Sequence, residues 1–147
     1  MGAYRYIRES FQRAYADRTA EYRARLAKWR KQGSVVRTEP TNPQAAHRLG
    51  YKARLDYIVA RVRVKKGKRS RRRPNQGRKP GRTRKFIEPG QSWRRIGEQR
   101  AERKFRNLKL VGSYFAGEDG TDQYFEVVFQ NLYWPSQPPV KKTAVKA

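Results

Sequence analysis

From Tyr4 the apolar residues fall at Tyr4, Ile7, Phe11, Ala14 and Tyr15, the three-and-four spacing that lines one face of a helix. A second helical stripe follows in Tyr22, Leu26 and Trp29. Asp17 is placed to cap that helix, Glu21 sits in its first turn where the dipole favours an anion, and Gly33 stands where it should end. After a short extended piece at Val35 to Thr38, "TNPQAAHRLG" predicts a helix of one to two turns, with Asn42 as cap, Pro43 at the first helical position and Gly50 past the end.

The periodicity then changes. In "YIVARVRVKK" the residues Ile58, Ala60, Val62 and Val64 alternate with Tyr57, Val59, Arg61, Arg63 and Lys65, which predicts a strand with one apolar face and one largely basic face. Ser92 is placed to cap a further helix whose Trp93, Ile96, Gly97, Ala101 and Phe105 share a side. The stretch "NLKLVGSYFAGEDGTDQYFEVVFQN" predicts two strands around a turn at Gly117 to Asp122, with Phe125, Val127 and Phe129 facing one way in the second strand. Interleaved helices and strands that end in a hairpin predict an α+β fold with a small, mostly antiparallel sheet flanked by helices. We expect one domain over residues 1–131, containing a long loop at 67–90, followed by a Pro-rich irregular tail at 132–147.

Charge changes the picture. The chain has 147 residues and a formal net charge of +25, far beyond what solubility requires. Ten Lys or Arg and no acid fall between Gly67 and Lys85: Lys68, Arg69, Arg71, Arg72, Arg73, Arg78, Lys79, Arg82, Arg84 and Lys85. Such a run has nothing to bury and repels itself, so alone it is expected to be unfolded and to order only on a polyanion. Arg predominates, and guanidinium groups both grip phosphate with two prongs and stack on bases, which favours folded RNA over a DNA groove read by a rigid helix. The cationic faces of the second helix and of the alternating strand extend the candidate contact set to Arg23, Lys28, Arg61, Arg63 and Lys65. The alternative from another class is a basic protein that binds and compacts DNA.

Other chemistry is thin. Cysteine is absent and His47 is the sole histidine, which removes thiolate catalysis and Cys-containing zinc sites and leaves His47 as a helix-end residue or phosphate contact. Glu118, Asp119, Asp122 and Glu126 hold a third of all the acids within one hairpin. They read as turn-formers and solvated surface, with a magnesium-dependent RNA-processing site as the formal competitor. Trp29 and Trp93 lie at helical spacing, which favours packing over base stacking. No nucleotide-binding glycine motif and no nucleophile with a base at a known spacing occurs, so we expect no enzyme, no cofactor and no small-molecule substrate. No apolar run approaches a membrane span and the start lacks a secretory signal's apolar stretch, so no membrane partner and a cytoplasmic location are expected.

Several segments together carry a resemblance: "MGAYRY" at Met1 to Tyr6, "HRLGYKA" at His47 to Ala53, "YIVARVRVKKG" at Tyr57 to Gly67, and "NLKLVGSYFAGED" with "YFEVV" between Asn107 and Val128. In this order they resemble the archaeal and eukaryotic large-subunit ribosomal protein fifteen family, e-type. The resemblance implies a structural protein of the large ribosomal subunit, bound to large-subunit ribosomal RNA beside neighbouring ribosomal proteins, with a sheet backed by helices. It maps the family's RNA contacts onto Arg5, Arg48, Lys52, Arg54, Arg61, Arg63, Lys65 and Lys66. Three departures stand out. His47 replaces the family's usual Arg, the loop after Gly67 differs in detail, and a short Pro-rich tail stands where a long basic extension is common. The compact form leans towards an archaeal lineage.

Overall fold

The computed structural model describes residues 2–67, 69–70, 76, 86–87 and 90–132. Its centre is a four-stranded antiparallel sheet in the order β1-β2-β6-β5, built from β1 (Val35–Thr38), β2 (Tyr57–Lys65), β5 (Lys109–Glu118) and β6 (Asp122–Gln130). Register follows the apolar alternation. Val62 lies opposite Val35 on one side and Phe125 on the other, and Ala60 lies opposite Val127, so the small and β-branched residues of β2 meet the aromatic and β-branched residues of β6 on one face.

That face is covered by α4 (Trp93–Lys104), with Ser92 Oγ accepting from Arg95 N as its cap. Gly97 and Ala101 are buried against the sheet, while Ile96 and Phe105 pack beside them on Val62, Val64, Phe125, Val127 and Phe129. Gly97 has a packing reason: a Cβ there would sit 3.5 Å from Val64 and 3.6 Å from Phe125. Lys104 then reaches across to the Val35 carbonyl at 2.9 Å and ties the helix end to the edge strand.

The opposite face is also covered, by α1 (Ala3–Ala16), α2 (Ala20–Lys31) and α3 (Pro43–Arg48). Asn42 and Pro43 start α3 as the sequence predicts, with Asn42 Oδ1 accepting from Ala45 N at 3.2 Å. Gly50 follows the helix with φ +89°, the left-handed conformation that glycine adopts without steric cost. From α2 the residues Tyr22, Leu26 and Trp29 are buried against Ala116 and Tyr124, and each contributes about 1.5–3 kcal/mol by leaving water. The Tyr22 ring lies so close to β5 that a Cβ on Gly117 would meet its hydroxyl at 2.9 Å. A β-bulge between Phe115 and Gly117 re-aims the strand at this point, and the Tyr22 hydroxyl accepts from Glu118 N and donates to Glu118 O.

Three readings of the sequence change. The cap of α2 is Thr19, whose side chain accepts from Tyr22 N at 3.3 Å, while Asp17 ends α1. Arg18 between them takes a positive φ of 50° that turns the chain. The expected loop at 67–90 contains a short antiparallel pairing, Arg69–Ser70 (β3) with Phe86–Ile87 (β4). The expected basic face of β2 is an interior face for most of its length, because α2 and α3 lie over it: Val59 and Arg61 are both buried. The rest of the 67–90 segment and the tail beyond residue 132 lie outside the described residues. Within these limits the α+β class with a small antiparallel sheet is borne out.

Candidate nucleic-acid interface

Strand β2 divides the predicted contact residues. Over its nine residues a strand extends about 30 Å, and the cations gather beyond its two ends. At its start, the segment from α3 to β2 presents Arg48, Lys52 and Arg54, all exposed. No acid occurs between Glu39 and Asp56. At its other end Lys65 is exposed and the chain runs straight into the basic segment from Lys68 to Lys85. On the outer side of α2, Arg23 and Lys28 are exposed. Arg5 on α1 is exposed and donates from Nε to Glu9 at 2.7 Å.

Other predicted contacts are engaged inside the fold. Arg61 is 8 % exposed. Its guanidinium lies 4.3 Å from the centre of the Trp29 ring, donates to Gln32 at 2.7 Å, and stands 3.7 Å from Glu126. Burial pushes its pKa down and the Glu126 carboxylate opposes that push. Arg63 is half-buried and donates to the Arg30 carbonyl at 2.8 Å. Lys66 is half-buried, with Nζ 2.7 Å from the Asp119 carbonyl and 2.9 Å from Glu118. Lys68, Arg71, Arg72, Arg73, Arg78, Lys79, Arg82, Arg84 and Lys85 fall outside the described residues, and of Arg69 only the backbone is described.

The hairpin acids are not solvated surface. Glu126 is fully buried and accepts from Thr41 N at 2.8 Å, from the Thr41 hydroxyl, and from the Tyr114 hydroxyl at 2.7 Å. Burial, reinforced by this carboxylate, drives the Tyr114 pKa upward. Asp119 faces Arg30 at 3.2 Å and accepts from Thr121 N and Asp122 N, as a turn-forming aspartate does. Glu118 joins Lys66, Tyr15, Gln123 and Arg18. Among the described residues no group of His, Cys, Asp or Glu is arranged to hold a metal ion, and no helix is long and apolar enough to cross a membrane.

Glu118 thereby ties α1, the turn that follows it and the residue after β2 to the hairpin. Lys66 first, and the Tyr15 hydroxyl next, hold its pKa at about 2 instead of the ordinary 4.5. A depressed carboxylate stabilises the fold fully above its unfolded pKa, and that contribution is lost as pH falls from about 4.5 towards 2. The contribution is at most about 3 kcal/mol, and less because the side chain is 19 % exposed. Urea unfolding of the wild type and of Glu118→Gln from pH 6 to pH 2 should show a stability gap that closes over this window. A gap independent of pH would show that the carboxylate does not act through its charge.

Sequence reasoning missed one feature of the surface. Tyr4, His47, Tyr51 and Tyr57 form a file of rings with centroids 5.8–6.0 Å apart in edge-to-face arrangement. Tyr4 is 53 % exposed and His47 is exposed. The four come from α1, α3, the following loop and β2, so no single periodicity joins them. Trp29 is buried, as its spacing indicated, whereas Trp93 at the start of α4 stays 37 % exposed.

A protein-family model described as Ribosomal L15, of the e-type, matches residues 2–141 of the 147.

Proposed function

The chain belongs to the Ribosomal L15e family and is thus a structural constituent of the ribosome, and from that premise we propose that it binds and stabilises folded large-subunit ribosomal RNA. One observation supports this most. Five acids, Glu9, Glu98, Glu118, Asp119 and Glu126, already pair with cations of the fold, and only twelve acids stand against thirty-seven Lys and Arg. Neutralising the exposed cations of the α3–β2 loop and of α2, and the ten cations of the sequence between Lys68 and Lys85, takes an external polyanion.

In this reading Arg48, Lys52, Arg54, Lys65, Arg23 and Lys28 contact phosphate from the domain surface, together with Arg5, which can exchange its exposed partner Glu9. The segment from Lys68 to Lys85 extends the interface. Arg61 supports the interface from within, because its guanidinium is held by Trp29, Gln32 and Glu126. Arg63 and Lys66 can add charge to the edge but keep their internal partners. The domain of residues 1–131, its tail and neighbouring ribosomal proteins complete the reading, with no catalytic role and a place in the cytoplasmic ribosome.

Purified full-length protein should bind structured large-subunit RNA fragments more tightly than duplex DNA of equal length, each compared across a salt series. Its affinity for RNA should fall steeply with salt as condensed counterions are released. Equal affinity for both nucleic acids at near-physiological salt would overturn the RNA reading in favour of DNA compaction.

A further inference from the structure

We propose that the ring file Tyr4–His47–Tyr51–Tyr57 is a stacking site for an unpaired RNA base, flanked by Arg48, Lys52 and Arg54 as its phosphate grip. The inference rests on the RNA-binding reading and adds to it the state of the nucleotide: unstacked, from a bulge or loop, instead of the paired backbone of a helix.

The argument begins with α1. No residue of this helix is fully buried, and Tyr4, Tyr6 and Ile7 are exposed at 53 %, 65 % and 37 %. Large apolar residues that gain so little from the core are not explained by packing of the domain alone. Tyr4 is nevertheless placed: it meets His47 at 6.0 Å, and His47 meets Tyr51 at 5.8 Å. Tyr51 and Tyr57, half-buried, anchor the inner end of the file beside Val59 and Val128. The inner rings are therefore held by the core and the outer two reach solvent.

An edge-to-face file turns successive rings against one another, so an exposed face at one ring borders an edge of the next. A flat heterocycle can lie on such a face, and base-on-aromatic stacking contributes about 1–3 kcal/mol per base with little dependence on base identity. The electrostatics fit a nucleotide. Arg48 follows His47, Lys52 follows Tyr51, and both are exposed. No acid lies between Glu39 and Asp56 to repel a phosphate. Aromatic faces interleaved with cations are what a splayed nucleotide recognises, whereas a paired helix presents no base face to stack upon.

The test uses the full-length protein and two RNA duplexes of about 20 base pairs, identical except that one carries a single unpaired 2-aminopurine, whose fluorescence falls when it stacks on an aromatic ring. The wild type should bind the bulged duplex about tenfold more tightly than the perfect one and quench the probe. The double variant Tyr4→Ala, His47→Ala should lose that preference and the quenching while its affinity for the perfect duplex stays within about twofold. His47→Phe should keep the preference, since a flat ring remains. His47→Lys should lose it although a cation has been added, which separates stacking from charge. Equal wild-type affinity for both duplexes without quenching overturns the stacking site and leaves RNA binding standing, as does a preference that survives in the double variant. Failure to bind either RNA removes both readings.

Discussion

Glu126→Ala should cost about 3–5 kcal/mol of stability, the range for stranding a buried charge, which is a large share of the roughly 5–15 kcal/mol that holds a domain folded. Glu126 has no exposed surface. It receives Thr41 N, the Thr41 hydroxyl, the Tyr114 hydroxyl and, at 3.7 Å, Arg61. Truncation leaves the buried Arg61 guanidinium with Gln32 and the Trp29 face as its remaining partners, and leaves the Tyr114 hydroxyl without its acceptor. The segment around Thr41, which carries the chain into the Asn42 cap of α3, loses its tie to the sheet. Glu126→Gln keeps the shape and part of the hydrogen bonding and should cost less. The double change Glu126→Leu, Arg61→Met should recover much of the loss, because replacing both members of a buried pair removes the stranded charge. Urea midpoints of the four proteins give the measurement. A loss below about 1 kcal/mol in Glu126→Ala would place this network at the level of a surface ion pair and refute the role given to it.

This network was also the part of the fold least legible in the sequence. Helix α3 was readable because its signals are local: Asn42, Pro43 and Gly50 each act within a turn of their own position. The β2 and β6 alternations gave the α4 face correctly, since Val62, Phe125 and Val127 meet there by register. The opposite face failed for a physical reason. An Arg in alternation with apolar residues looks the same whether water or a helix lies over it, and the residue that covers Arg61 is Trp29, thirty-two positions earlier and known only once α2 is docked. The hairpin acids misled in the same way as to solvation, although Asp119 does form the turn. Their composition matches a solvated turn, and the cations that engage Glu118, Asp119 and Glu126 are Arg18 and Arg30 from the α1–α2 region and Arg61 and Lys66 from β2 and the residue after it. Between Asp17 and Thr19, both good caps, the choice depends on the left-handed turn at Arg18, which no propensity for Arg foretells. The two-residue pairing of β3 with β4 is too short to show any alternation. For the proposed interface, net charge pointed to a polyanion, but the aromatic file required four elements to be brought together.

Replacing the ten Lys and Arg between Lys68 and Lys85 by Gln, with length and the glycines and prolines kept, should reduce affinity for large-subunit RNA at least about a hundredfold near physiological salt. The domain itself should melt as before. Among the described residues, the three buried apolar clusters are formed by side chains before position 65 or after position 95. Relief of like-charge repulsion can only favour the compact state. The loss should appear chiefly in the salt dependence, because each phosphate contact removed lowers the slope of log affinity against log salt by about 0.7–0.9. If six or more of the ten touch phosphate, the slope falls by roughly four units or more, whereas changing only Arg48, Lys52 and Arg54 should lower it by about two. The comparison thus apportions the interface between the two ends of β2. Incorporation into large subunits, followed by sedimentation of particles assembled with the Gln variant, should fail while the circular dichroism of the free domain is unchanged. A variant that retains the wild-type salt slope and assembles normally would show that the densest charge in the chain does not face RNA, and the polyanion it balances would have to be sought elsewhere.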